Sequence, residues 1–478
     1  MSVIRKKNIP MAALAFFYLA FLGTEYLFDE KITLLAGGES VAMAESVVVG
    51  ISVVGFLLYP LALKVFVRRL KPLLLSAGGV AAVCSVAIGV AEQPAVIYAA
   101  GAVGLLCLGI AGAAAHDAVA CEDEASGIAS TVGVAYAAAI LLQIELQALT
   151  PAGPLRAALL AVAALASTGL SAASAAAVAE PAAGLNPDPD DAPGTRALPI
   201  LAGIVALMTC IFSTLNVTLT GMHAAGEIDL GSWPRVLLAA SALASGFALD
   251  RLSRRYAPVV MALVSTLSCF AVFSTANDGS ALMSAAVFYL GSGAFVVFFT
   301  SAFMLAGRAS SPSGLWPSAG RVVNNVVSLA VAAPALILVA RANSLATSAV
   351  VLVVLAAIYA LVFLWLEKAA APAAASGEPP ASPDAPMPTP DAPPAPAPLS
   401  PDQKLAAFSA AFGLTARETE VLAALTTSDS SMQDLARELY MSRTALYRHI
   451  SSMCGRVGVD NRQALLLRFF SWQPEDQG

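Results

Sequence analysis

Residues 246–255 read GFALDRLSRR. A greasy run ends there on Asp250 and Arg251, two more arginines follow, and a second greasy run starts at 257. A short cationic hairpin between two apolar segments is the signature of a chain turning at the cytoplasmic face of a bilayer. Reading outward in both directions finds the same alternation repeated. The chain is 58% hydrophobic and 12% charged, with mean hydropathy +0.76. Soluble globular domains carry roughly a quarter charged residues. Most of this chain therefore needs lipid as its solvent.

A helical span takes about 20 apolar residues. Twelve segments meet that length: 9–28, 44–63, 72–91, 95–115, 126–148, 155–178, 199–222, 233–250, 257–276, 281–305, 322–341 and 345–366. Loop charge orients them. With the N-terminus inside, the inner side collects Arg5, Lys6, Lys7, Lys64, Arg68, Arg69, Lys71, Arg196, Arg251, Arg254, Arg255, Arg308, Arg321 and Lys368. The outer side has Lys31, Arg156, Arg235 and Arg341. Positive charge stays inside, so both termini are expected in the cytoplasm of a cell whose inner (plasma) membrane holds the chain. Arg5-Lys6-Lys7 leads into a full span with no convincing cleavage site, so no cleavable signal peptide is expected. The six cysteines have no CxxC spacing and are expected as reduced, small core residues.

The spans divide six and six around 179–198, a Pro/Asp/Gly-rich loop. The segment from Gly246 to Arg255 resembles the G-x-L-x-D-R-x-G-R-[RK] loop motif of the major facilitator superfamily, with Ser253 at the usual glycine. The resemblance implies a facilitator-like 12-helix membrane domain over 1–368. The bland alternative is a charge anchor and nothing more. The family's first-half copy should follow span 2. There Gly55 leads to Tyr59-Pro60, then Lys64 and Arg68-Arg69, and the aspartate is gone.

Polar residues inside spans are costly in lipid and are functional candidates by default. In facilitator-like folds spans 1, 4, 7 and 10 line the cavity. That places Glu25 and Asn216 as the ligand candidates. Against this, Glu25, Asp29 and Glu30 read equally as the outer end of span 1. His223 reads as interfacial, and Asn324-Asn325 as helix–helix hydrogen-bonding glue. Tyr289 and Phe298-Phe299 read as packing.

Residues 369–401 hold 12 prolines in 33 positions, a composition that favours an extended tether over a core. Beyond it, 402–478 changes character. Thr415-Ala-Arg-Glu418 is a capping box opening a helix with Leu414, Val421, Leu422 and Leu425 on its inner face. Ser431 to Asp434 (SMQD) caps a second helix, and Ser442 a third, whose Leu446, Ile450 and Met453 face a core. That leaves Arg443, Thr444, Tyr447, Arg448 and Ser451 on the outer face, side chains able to reach base edges and phosphates. Asn461 is expected to cap a last helix, whose Leu465, Leu466 and Phe469 suit packing or a dimer contact. From Arg437 to Arg468 there are six arginines against Glu438 and Asp460.

LTARETEVL at 414–422, LARELYMS at 435–442, His449-Ile450 and RVGVDNR at 456–462 together resemble the LuxR-type helix-turn-helix domain. The resemblance implies a four-helix unit that binds promoter DNA as a homodimer. The whole is then an all-α chain of a polytopic membrane domain and a DNA-reading head. The leading expectation is a one-component transcriptional regulator that senses a small-molecule effector through its membrane domain. The alternative is a facilitator-type secondary transporter with an accessory DNA-binding domain. The lost first-half aspartate, and Glu25 as the one titratable cavity candidate, weigh towards sensing. No catalytic constellation, metal-ligand spacing or phosphate loop stands in the sequence, so no enzyme activity, metal or cofactor is expected.

Overall fold

The structure is a computed structural model. It describes residues 2–36, 41–66, 69–121, 127–178, 198–230, 233–252, 255–277, 279–309, 314–341, 344–374, 401–427, 435–437, 439–459 and 462–472. Among these residues every regular element is a helix. The chain forms two compact units, Met1–Glu378 and Pro379–Gly478.

The first unit holds α1 Ser2–Ala36, α2 Val41–Val65, α3 Leu70–Val90, α4 Pro94–Ala120, α5 Ile128–Leu149 and α6 Pro154–Val178. Its second half holds α7 Leu198–Ala224, α8 Pro234–Arg251, α9 Ala257–Ala276, α10 Ala281–Ala309, α11 Trp316–Arg341 and α12 Ser344–Ala374. In hydrocarbon every backbone N–H and C=O must be satisfied within the segment, which leaves the helix as the available form. Eleven of the twelve are long and apolar enough to cross a bilayer. The exception is α8, expected as a span over 233–250. Its eighteen residues include Arg235, Asp250 and Arg251, and it packs between α5 and α10. At the other end of the unit, α12 runs six residues past the expected boundary at 368. Its tail is alanine, the strongest helix former, apart from Pro372.

Within the first half α1 packs on α4, α5 and α6, α2 on α4, and α3 on α4 and α6. Within the second, α10 packs on α8, α9 and α11, while α7 packs on α11 and α12. The halves meet most extensively through two pairs, α5 with α8 and α2 with α11. Glycine lets the first pair meet closely. A Cβ on Gly133 of α5 would lie 2.6 Å from the Ala242 carbonyl, and one on Gly246 of α8 would lie 2.6 Å from that of Ala129. Close backbone approach through small residues is the usual cement of helices in lipid.

The second unit has its own core. Its helices are α13 Pro401–Ala411, α14 Ala416–Thr427, α15 Arg443–Val457 and α16 Arg462–Ser471, with a further helical stretch at 435–437. Phe408, Val421, Leu422, Leu435, Leu446, Met453 and Leu465 are buried together. Leu465 and Phe469 pack into this core, with Leu466 against it.

The capping box forms as expected. The Thr415 N–H donates to Glu418 Oε2 at 2.8 Å, and the Glu418 N–H returns to Thr415 Oγ1 at 3.3 Å. Ser442 caps α15 by accepting from the Ala445 N–H at 3.1 Å. The expected caps at Ser431–Asp434 and Asn461, the loop 179–197, Ser253, Arg254 and the tether residues 375–400 lie outside the described residues. None of the six cysteines is joined in a disulfide.

Candidate functional site

A cavity of about 750 Å³ opens in the membrane unit where α1, α5 and α7 end and where α2, α8 and α10 begin. Glu25 and Asn216 both line it. The helices differ from expectation, because α2, α5 and α8 supply walls and α4 supplies none. The remaining polar lining includes Asp29, Glu45, Gln147 and Arg235.

The polar groups are specifically arranged. Asn216 Nδ2 donates to Glu45 Oε1 at 3.4 Å. Glu25 and Glu45 lie within hydrogen-bonding reach of each other. An ionised carboxylate only accepts, so a hydrogen bond between them would need a proton on one of the two. Arg235 is 0% exposed. Its Cζ stands 4.1 Å from the centroid of the Tyr26 ring, and its Nη1 donates to Gln147 Oε1. Its Nε and Nη2 have no partner, nor does the buried Oδ1 of Asp29.

Three expectations are corrected here. Glu25 is not the cavity's single titratable group, since Glu45 and Asp29 join it. Arg235 does not sit in an outer loop as a charge marker; it is a buried cavity wall. Tyr289, expected as packing, also lines the cavity. The acids of span 1 divide in role. Glu25 and Asp29, one turn apart, are joined with the cavity polar groups, while both oxygens of Glu30 accept from Arg156 Nη1 at 2.8 and 2.7 Å. Glu45 was legible as a lone acid just inside an apolar span. Its pairing with Glu25 across the α1–α2 connection was not.

At the opposite end of the bundle α8 is tied to α5. Asp250 accepts from the Ala129 N–H at 3.0 Å and the Ser130 N–H at 2.8 Å. These are first-turn amides of α5 that have no partner in their own helix. The facilitator-like segment is therefore more than an anchor: its glycine seats α8 on α5, and its aspartate caps α5 across the boundary between the halves. In the first half, Tyr59 stands near the position of the missing aspartate. Its hydroxyl donates to Asp117 at 2.9 Å, a bond inside one half. Asn325 Nδ2 donates to Ser52 Oγ at 3.0 Å between α11 and α2, and Thr209 Oγ1 donates to Asn324 Oδ1 at 3.4 Å. The asparagine pair is glue, as expected. Arg321, counted as an inner-loop cation, is buried between the rings of Tyr18 and Phe299. His223 is exposed at the cavity mouth, with Nδ1 2.9 Å from the Ile228 carbonyl.

In the C-terminal unit, α15 carries two opposed faces. Leu446, Ile450 and Met453 are buried, while Thr444, Tyr447, Arg448 and Ser451 are exposed together. The Arg443 side chain lies outside the described residues. Arg456 is committed elsewhere: Nε lies 3.8 Å from Glu418 Oε1, and Nη1 donates to the Gly413 carbonyl. Burial of Glu418 pushes its carboxyl up. The Thr415 N–H, the hydroxyls of Ser452 and Thr415 and the Arg456 guanidinium outweigh that and hold it down at about 2.

No protein-family model and no curated protein matches the sequence. Among solved structures the chain is similar to the crystal structure of the human organic anion transporter MFSD10 (TETRAN). The TM-score is 0.54 at 16% identity, over 76% of this chain and 99% of that one. It is also similar to a crystal structure of a bacterial homologue of the iron transporter ferroportin in outward-facing state with soaked iron. There the TM-score is 0.53 at 13% identity, over 76% and 98% of the two chains. Identities this low carry the fold alone. The membrane unit shares the fold of these two solved proteins, and most of its helices are long and apolar enough to cross a membrane. The LuxR-type expectation for the C-terminal unit finds no support in these comparisons.

Proposed function

We propose that the chain is a facilitator-type secondary transporter whose C-terminal unit is an accessory DNA-binding head. The observation that carries the first part is the polar cavity at one end of the bundle, set against the Asp250 tie at the other. Two transporters of the same fold favour transport as a class, and their cargoes are not carried over. With Glu45 and Asp29 beside Glu25, the argument that the cavity lacks titratable groups falls, and transport displaces pure sensing as the leading reading.

In this mechanism a solute enters the cavity from outside, with the N- and C-termini in the cytoplasm by the loop-charge rule. A proton carried by the Glu25–Glu45 pair moves with it. The halves then rock across the α5–α8 and α2–α11 seams, which releases Asp250 from α5. The test uses alkaline-inside proteoliposomes of the full chain loaded with a pH dye and given a defined mixture of amino acids, polyamines, sugars and nucleosides. Transport predicts acidification of the lumen on addition, lost in Glu25→Gln. A flat trace for the wild-type chain sinks the reading.

A second reading keeps the membrane unit as the sensor of a small-molecule effector and makes the head its output on promoter DNA. It is favoured by the exposed face of Thr444, Tyr447, Arg448 and Ser451 on α15, with Arg443 its expected fifth member. One recognition helix reads few base pairs, so binding as a homodimer on a two-fold operator follows. Residues 402–478 binding the gene's own upstream duplex no better than random duplex would remove the DNA role from both readings.

A further inference from the structure

We propose that the cavity selects an amphoteric solute, with Arg235 seating its carboxylate and Asp29 facing its ammonium. The inference deepens the transporter reading and rests on it for the solute's fate, though not for its capture.

Arg235 carries the argument. It is fully buried, its face is held by Tyr26, and Nη1 is spent on Gln147. Nε and Nη2 are left without partners. These two nitrogens form one edge of the guanidinium, and that edge presents two parallel N–H donors. It is the geometry that takes a carboxylate through two hydrogen bonds. A buried donor without a partner is costly, and more so for a charged group. An arginine stacked on Tyr26 with one whole edge buried and unpartnered is set up for a ligand.

The same cavity holds the complementary vacancy. Asp29 Oδ1 is buried with no donor. A simple anion would satisfy Arg235, yet it would meet a wall that also contains Glu25, Asp29, Glu30, Glu45 and Asp229. A simple cation would suit those acids and leave the arginine edge bare. A solute with both charges answers both vacancies. Tyr26, Tyr136, Phe288 and Tyr289 offer its body an aromatic wall, in a volume larger than a single amino acid fills.

Three probes sharing one aromatic body separate the charges: phenylalanine, phenethylamine and 3-phenylpropanoate. Binding to the purified full chain in nanodiscs is read by equilibrium dialysis of labelled probe. The expected result is phenylalanine bound at least tenfold tighter than either single-charge probe. Arg235→Lys keeps the charge and loses the two-donor edge, so the preference for phenylalanine over phenethylamine collapses. Asp29→Asn collapses the preference over 3-phenylpropanoate, and decides alone if the arginine variant does not fold. Phenylalanine bound no tighter than phenethylamine, no binding of any probe, or preferences unmoved by the substitutions overturns the assignment. The pH-dye assay reads transport separately, so that failure leaves the transporter reading standing. Intact selection with no proton uptake leaves a sensor of the same solute class.

Discussion

Tyr440 has φ of 51° and is 96% exposed, in the turn that leads into α15. The Met441 N–H reaches back to the Ala436 carbonyl at 2.9 Å, which holds the turn tight. A side chain in left-handed backbone costs about 1–2 kcal/mol that glycine does not pay. Tyr440→Gly should raise the thermal midpoint of the isolated head by about 4–8 °C, read by circular dichroism; an unchanged midpoint contradicts the strain. Glu418 makes a second claim at this scale. Its carboxyl is held below its ordinary value of 4.5, at about 2. A depressed acid contributes stability that is present above the unfolded value and lost as pH falls through the folded one. The head should lose up to about 3 kcal/mol between pH 4.5 and 2, and Glu418→Gln should flatten that slope. The same network occupies Arg456. Among the described side chains of α15, Arg448 is the exposed cation that the proposed DNA-binding role would use. Arg448→Ala should cost the head about 1–3 kcal/mol of discrimination between operator and random duplex and leave membrane insertion intact. Anisotropy titration with both duplexes measures it, and unchanged discrimination moves the contact to Arg443.

At the scale of helices the decisive device is the α5 start held by Asp250. A carboxylate on orphan first-turn amides gains from both hydrogen bonding and the helix dipole, about 1 kcal/mol for the charge. Asp250→Asn keeps a side-chain acceptor and loses that charge. Amide exchange over 127–134 should then speed up about fivefold, the factor that about 1 kcal/mol gives. Exchange at the wild-type rate would reduce the tie to packing of Gly246 on α5. Helices, caps and this motif were legible in sequence because each is local: a twenty-residue apolar run, Thr415 with Glu418 three residues on, an aspartate at a helix end. The cavity was only half legible. Glu25 and Asn216 stood out as polar groups deep in apolar spans. Arg235 did not, because a cation at a span end reads as a loop charge until its neighbours Tyr26 and Gln147 are known. Glu45 meets Glu25 only after α2 folds back on α1. α8 falls short as an apolar run for a related reason: its charges serve α5 and the cavity.

For the whole molecule the open question is how an occupied cavity could reach DNA. The two units have separate cores, and the sequence between them is proline-rich, a composition suited to spacing and poorly suited to carrying torque. A solute can shift the membrane unit only by binding one packing of its halves better than the other. Under the regulator reading the head then senses which packing is present, or how two heads meet. Cavity chemistry should therefore matter and tether length should not. Deleting about ten tether residues, still well within a semi-stiff spacer's reach, should leave the solute-dependent change in reporter transcription intact. Glu25→Gln or Asn216→Ala should blunt it at unchanged protein level, because Asn216 holds Glu45 and Glu45 meets Glu25. Reporter output with and without the solute, normalised to immunoblotted protein, separates the cases. A response lost on shortening and untouched by both cavity substitutions would make the reach of the tether the signal. A response absent in every chain, with proton uptake present, would leave a transporter whose head reads DNA independently of its cargo.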